Sequence, residues 1–156
     1  MIVGIDPGQT GGLAYIDERG CRSWAVAMPV LGKDIDGSLL ADLLRDWAPE
    51  TVIVEKVHSM PKQGVASTFK FGTGFGRILG VLETLGTPYR LVTPQEWKKT
   101  VLSGTAKDKD AAIAFASRAF PHISLTPGQK RKPHDGMADA LCLAEYGRQL
   151  MAKGAA

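Results

Sequence analysis

Two carboxylates stand at the ends of runs that are otherwise apolar. Ile2-Val3-Gly4-Ile5 finishes on Asp6 and turns at once through Pro7 and Gly8. The β-branched run TVIVEKV is interrupted by one acid, Glu55. If the two strands are neighbours, both acids leave the same edge of one sheet, and open sheets place ligand sites just beyond the carboxyl ends of their strands. Two desolvated carboxylates side by side repel, so one protonates unless a cation lies between them. Singly, each has a plainer explanation: Asp6 caps its own turn, and Glu55 pairs with Lys56 or an arginine. A third element shifts the balance. The stretch HDGMADALCLAEY puts Asp135 and Asp139 four residues apart on one helical face, where like charges disfavour a helix. Asp135 can serve as that helix's N-cap, which leaves room for a second role. A solvent-facing acid need not open so apolar a face, so Asp139 has the weaker structural excuse.

Carboxylates of this kind and number suit a pair of hard cations, Mg²⁺ or Mn²⁺. Two such ions roughly 4 Å apart activate a water and stabilise the leaving oxygen in phosphodiester hydrolysis. No Ser-His-Asp or Cys-His set competes with that chemistry.

The elements that must position these acids follow from periodicity. Residues 1–6 read as a buried strand, 12–17 as a second, and Glu18-Arg19-Gly20 turns the chain into a third at 22–28, giving an antiparallel meander. Residues 29–37 read as a loop. SLLADLLRDW has apolar residues at helical spacing, with Ser38 as N-cap and Pro49 ending the segment. TVIVEKV is a fourth strand, residues 59–64 a loop, and 65–85 a long helix stopped by Gly86-Thr87-Pro88. YRLVT makes a fifth strand, and helices follow over 94–102, 109–120 and 136–153. The order predicts one α/β domain spanning residues 1–156, a five-stranded mixed sheet flanked by helices.

GIDPG, the acid in TVIVEKV and the terminal DGMADAL together resemble RuvC-type Holliday junction resolvases, above all the short phage-type members, within the ribonuclease H-like superfamily. GIDPG alone is only moderately specific; three acidic motifs in this order and spacing are much more so. The resemblance covers residues 1 to about 147. It implies a ribonuclease H-like fold and a homodimeric, divalent-metal-dependent endonuclease with two ions per active site. The implied substrate is branched DNA, with four-way junctions resolved by paired symmetric nicks. The family's first-strand Asp corresponds to Asp6, its fourth-strand Glu to Glu55, and its C-terminal acidic pair to Asp135 and Asp139. One departure matters. Many bacterial members space that pair at i,i+3, with Asp or His first, and here Gly136 occupies the first place. The fourth active-site residue is therefore Asp135, with His134 as the substitute. On this reading Gly8, Gly11 and Gly12 let backbone and a phosphate substrate come close.

Charge is distributed to match a polyanionic partner. The net charge is +3, yet residues 1–50 carry four basic and eight acidic side chains, and residues 51–156 carry fifteen and eight. Lys98, Lys99, Lys107 and Lys109 cluster around one loop, and Lys130-Arg131-Lys132 precede the acidic pair. Cations flanking a metal site track phosphates, the plainer alternative being a solvated surface. His58 lies three residues after Glu55, near where the family inserts a side chain at the junction. It either stacks on a base or is an ordinary loop histidine. FKFGTGFGRILG carries Phe69, Phe71 and Phe75 among Gly72, Gly74, Gly76 and Gly80. Glycine costs a helix up to about 1 kcal/mol relative to Ala, so this face implies close contact. The family dimerises partly through this helix; packing on the chain's own sheet is the alternative. Trp97 reads as core.

Cys21 and Cys142 read as buried thiols of a reducing compartment. No run approaches the roughly 18 apolar residues of a membrane span, and no secretory layout opens the chain. The cytoplasm of a bacterium or a phage-infected host is the expected compartment. Four rivals remain in view. A related YqgF-type nuclease would act on structured RNA, and a branched-DNA nuclease could have loose structure specificity. The sugar kinase/actin ATP-binding fold also begins with strand, Asp and glycine turn, but it needs two such domains, so no nucleotide cofactor is expected. A non-catalytic junction-binding module would set four acids against a polyanion without purpose.

Overall fold

In the computed structural model, which describes residues 1–56, 64–104, 110–129 and 131–154, the apolar runs become the centre of one sheet. The chain passes through β1 (Ile2–Asp6), β2 (Gly12–Ile16), β3 (Ser23–Ala27), β4 (Val30–Leu31), β5 (Asp34–Ile35), α1 (Gly37–Trp47), β6 (Thr51–Glu55) and α2 (Val65–Thr84). β7 (Tyr89–Val92), α3 (Pro94–Val101), α4 (Ala111–Ala119), a 3₁₀ turn at Pro127–Gln129 and α5 (Asp135–Ala152) complete it. The sheet order is β3-β2-β1-β6-β7. β2 pairs antiparallel with β1 and β3, while β6 runs parallel to β1 and to β7. This is the five-stranded mixed sheet that the pattern predicts.

Alternation along the strands divides the core in two. Val3, Ile5, Val52 and Val54 face Leu40 and Leu44 of α1 and Ile78 and Leu82 of α2. Ile2, Ile53 and Val92 face the other way, toward Trp97 and the α5 residues Leu141 and Ala144. Side chains two apart share a face. Asp6 and Glu55 are therefore committed to the α5 side by the same register that buries Ile2 and Ile53.

α5 lies against the sheet with backbone almost touching backbone. A Cβ on Gly4 would come within 2.1 Å of the Ala140 carbonyl oxygen, and one on Gly12 within 2.7 Å of the Gly136 carbonyl oxygen. The expectation that Gly11 and Gly12 make room for a phosphate is thereby corrected. A Cβ on Gly11 would strike the Asp6 carbonyl at 2.1 Å, so these glycines make room for the chain itself.

Local details differ from the pattern in four places. Residues 29–37 hold the β4–β5 hairpin, turned by Gly32 at φ 64. Asp36, not Ser38, caps α1, its carboxylate accepting the Ser38 and Leu39 amides at 3.0 Å each. α5 is capped by His134 rather than Asp135, through Nδ1, which accepts the Met137 amide at 3.2 Å. Cys142 is buried but Cys21 is exposed, and both thiols are free. Among the described residues, no helix is long and apolar enough to cross a membrane.

Candidate active site

Register brings the first two acids together. Ile5 lies opposite Val54 across the parallel β1–β6 pair, so Asp6 and Glu55 follow as the last residues of adjacent strands. Helix geometry supplies the third. Asp139 immediately precedes Ala140, whose carbonyl lies over Gly4, so α5 carries the Asp139 carboxylate to the same sheet edge. The close glycine packing that lets α5 approach is what sets this height.

The three acids respond to burial and to one another. Burial, then Asp139 and Glu55, push the Asp6 carboxyl up to about 7, against the pull of Lys98. Glu55 is raised by burial and then by Asp139, with Lys98 and the Trp97 indole acting the other way. Asp139 is raised by burial first; Lys98 opposes this and Asp135 adds to it. Asp135 is exposed on the first turn of α5. Its charge registers at Asp139 but is not among those that shift Asp6 or Glu55. These couplings link Asp6, Glu55 and Asp139, while Asp135 lies exposed at the rim. Gly136 cannot be an acid in this packing, since its Cβ would fall 2.4 Å from both the Thr10 carbonyl oxygen and the Gly11 Cα.

The donor chemistry fits a hard divalent ion: carboxylate oxygens stripped of hydration, with unrelieved mutual repulsion. Among the described residues, no group of three His, Cys, Asp or Glu side chains is already gathered closely enough to hold a metal ion. The acids thus sense one another electrostatically without converging on one point. An ion would have to draw them inward, and its charge would remove the repulsion that keeps them apart.

Two neighbours on α3 belong to this pocket. Lys98 is exposed, yet its charge acts on Asp6, Glu55 and Asp139 alike. Its Nζ stands 5.1 Å from the centre of the Trp97 ring. Trp97 is fully buried, as its core reading requires. Its indole Nε1 meets no acceptor in hydrogen-bonding geometry, although the indole lies near enough to Glu55 to favour that acid's ionised form. Sequence reasoning took Lys98 for a phosphate contact and missed both relations to the acids. The available signal was position, since α3 follows β7 directly and Val92 of β7 pairs with Glu55. Lys99, Arg131 and Lys132 are exposed. His58, Lys107, Lys109 and Lys130 lie outside the described residues. A surface depression lined by Met1, Asp17, Glu18, Arg22 and Glu50 occupies the opposite end of the sheet and includes none of the three acids.

No protein-family model matches the chain. It is 31% identical to the crossover junction endodeoxyribonuclease RuvC of Ruegeria pomeroyi, over 94% of this chain and 92% of that one. The corresponding enzyme of Nitratidesulfovibrio vulgaris is 27% identical, over 90% and 88%. Among solved structures, Thermus thermophilus RuvC in complex with Holliday junction substrate superposes with a TM-score of 0.68 at 20% identity, over 99% of this chain and 96% of that one. That likeness establishes a shared ribonuclease H-like fold.

Proposed function

The chain belongs to the RuvC family of crossover junction endodeoxyribonucleases, and from that membership we propose how its own residues divide the work of cutting a junction. It is a divalent-metal-dependent endonuclease that resolves Holliday junctions. The observation that carries the assignment of its site is the meeting of Asp6, Glu55 and Asp139 at one sheet edge, each raised by burial and by like charge.

Asp6, Glu55 and Asp139 hold the metal, with Asp135 as fourth ligand from the rim. Two Mg²⁺ or Mn²⁺ ions held there would supply Lewis-acid chemistry, polarising the scissile phosphate and lowering the pKa of a water. The protein's part is to present three carboxylates to the ion in a partly dry pocket, where burial and like charge favour protonation until the ion binds. Lys98 assists by lowering the pKa of all three. Lys98, Lys99, Arg131 and Lys132, together with Lys107, Lys109 and Lys130, meet phosphates of the branched DNA, and His58 stacks at the junction. No nucleotide takes part. Residues 1–156 act as a single domain, in the cytoplasm of a bacterium or a phage-infected cell.

The active form is a homodimer. Gly72, Gly76 and Gly80 recur at i,i+4 along α2, and among the described residues nothing lies within 4 Å of where each Cβ would sit, whereas a Cβ on Gly74 would meet Ile35 at 3.1 Å. Packing against the described residues therefore accounts for one of these glycines only. Val65 and Phe69 of α2 are 88% and 77% exposed. A second copy across a two-fold axis would cover this face and set two active sites on strands of like polarity.

A synthetic mobile four-way junction, a fork and a structured RNA should be compared with and without Mg²⁺, mapping every nick. Paired symmetric nicks in the junction, reduced by orders of magnitude in Asp139→Asn while junction binding persists, are the expected result. Asp135→Asn should cost more activity than His134→Ala, whose imidazole serves the helix cap. Near-parental cutting by Asp139→Asn, or preference for the RNA, would overturn this account.

A further inference from the structure

We infer that the indole N–H of Trp97 is the donor that orients the Glu55 carboxylate for metal binding, which makes Trp97 a positioning residue of the active site. This rests on the reading of Glu55 as a metal ligand.

The first turn of α3 is tied firmly to the strand beside Glu55. Val92 pairs with Glu55 in the sheet, and the Lys56 amide donates to the Val92 carbonyl at 2.6 Å. The next residue, Thr93, caps α3 reciprocally with Glu96. Its hydroxyl accepts the Glu96 amide at 3.3 Å, while its own amide donates to the Glu96 carboxylate at 2.7 Å. Pro94 presets the first helical position. Trp97 follows one residue after that box, so its ring has little freedom.

That ring is fully buried on the α5 side of the sheet, the side to which alternation commits Glu55. Its Nε1 is the one buried side-chain nitrogen or oxygen among the described residues without a partner. An indole N–H can only donate, and a buried donor left unmade forfeits its hydration with no return. A phenylalanine would serve the apolar core without that loss. The orphaned donor thus needs an acceptor that this conformation has not brought into reach. Lys98, which acts on all three acids, lies over the same ring at 5.1 Å, so the ring borders the acidic pocket. The acceptor beside it is Glu55, the acid on whose ionised form the indole acts.

When the carboxylates draw in around an ion, the N–H takes one lone pair of Glu55 and leaves the others directed at the metal. Groups that fix a ligating carboxylate in this way commonly change metal affinity by about 10–100-fold when removed.

The test has two arms. Mn²⁺ affinity, read by the electron paramagnetic resonance of free Mn²⁺, should fall about tenfold in Trp97→Phe. An affinity within about twofold of the parent's, in a folded Trp97→Phe, would overturn the inference and reduce Trp97 to packing. The second arm leaves Trp97 in place and uses diamagnetic Mg²⁺. The Trp97 indole resonance is identified in ¹H–¹⁵N spectra by eliminating those of Trp24 and Trp47 with Trp24→Phe and Trp47→Phe. Saturating Mg²⁺ should move it downfield and slow its exchange with solvent in the parent but not in Glu55→Ala; a parent resonance indifferent to Mg²⁺ would also overturn the inference. Mn²⁺ binding equal in the parent and Asp139→Asn would instead sink the metal-site reading, whereas binding that is lost in Asp139→Asn and unchanged in Trp97→Phe would overturn the Trp97 inference alone.

Discussion

Asp6→Asn should make the metal-free protein more stable, and the gain should depend on pH in a calculable way. The Asp6 carboxyl is held up to about 7, from an ordinary 3.8, by burial and by Asp139 and Glu55. Between those values the folded chain binds the proton that the unfolded chain has released, so stability falls as pH rises through the window and is lowest above it. A gap of about 3 units corresponds to a stability deficit of about 4 kcal/mol by pH 8, shrinking below about 1 kcal/mol near pH 4. Asparagine keeps the shape and discards the charge. The variant should therefore outlast its parent by about 3–4 kcal/mol at pH 8 and nearly match it at pH 4. For a chain of this length the pH 8 difference amounts to a melting shift on the order of 10 °C. Urea denaturation in EDTA at pH 4, 6 and 8 measures it. Mg²⁺ should then raise the melting temperature of the parent at pH 8 and do much less for the variant, because only the parent offers the ion this carboxylate. Equal stability at pH 8, or a difference that ignores pH, would refute the claim that Asp6 is a desolvated, mutually repelled carboxylate.

Two further outcomes test the surfaces around the site. Changing Lys99, Arg131 and Lys132 together to Gln should weaken junction binding and make its dependence on log salt shallower, by roughly one unit for each phosphate no longer neutralised; an unchanged slope would return them to solvated surface. Light scattering should find a dimer at micromolar concentration, and Gly76→Arg should yield monomers that keep the fold but no longer make paired nicks. A parent that is monomeric yet cuts junctions fully would remove the role proposed for α2.

The placement of the candidate acids on one face was legible because it follows from short periods. Alternation in IVGID and TVIVE buries Ile2 and Ile53 on one face and so fixes the face of Asp6 and Glu55. What was illegible depended on which partner fills a space. Ser38 and Asp36 are both good caps, and only the path of the β4–β5 hairpin places Asp36 at the end of α1. Two-residue strands have no period to detect. The exposure of Cys21 depends on how its turn projects from the sheet, which a residue type cannot state. Lys98 looks like any basic surface residue until β7 is known to lie beside β6.

The displaced acid of the C-terminal pair illustrates how packing chooses chemistry. An acid three residues before Asp139 would have to replace Gly136. That position is closed by the Thr10 carbonyl and Gly11 Cα, each 2.4 Å from any Cβ, and a Cβ on Gly12 would in turn meet the Gly136 carbonyl oxygen at 2.7 Å. The same closeness lets α5 lie over Gly4 and hold Asp139 at the end of β1. Opening the seam for a side chain at 136 would lift the helix start and carry Asp139 away from Asp6 and Glu55. The seam thus trades one inward acid for the height of another, and any fourth carboxylate must reach in from the first turn. Asp135, exposed at the helix start yet electrostatically felt by Asp139, stands where that trade leaves room.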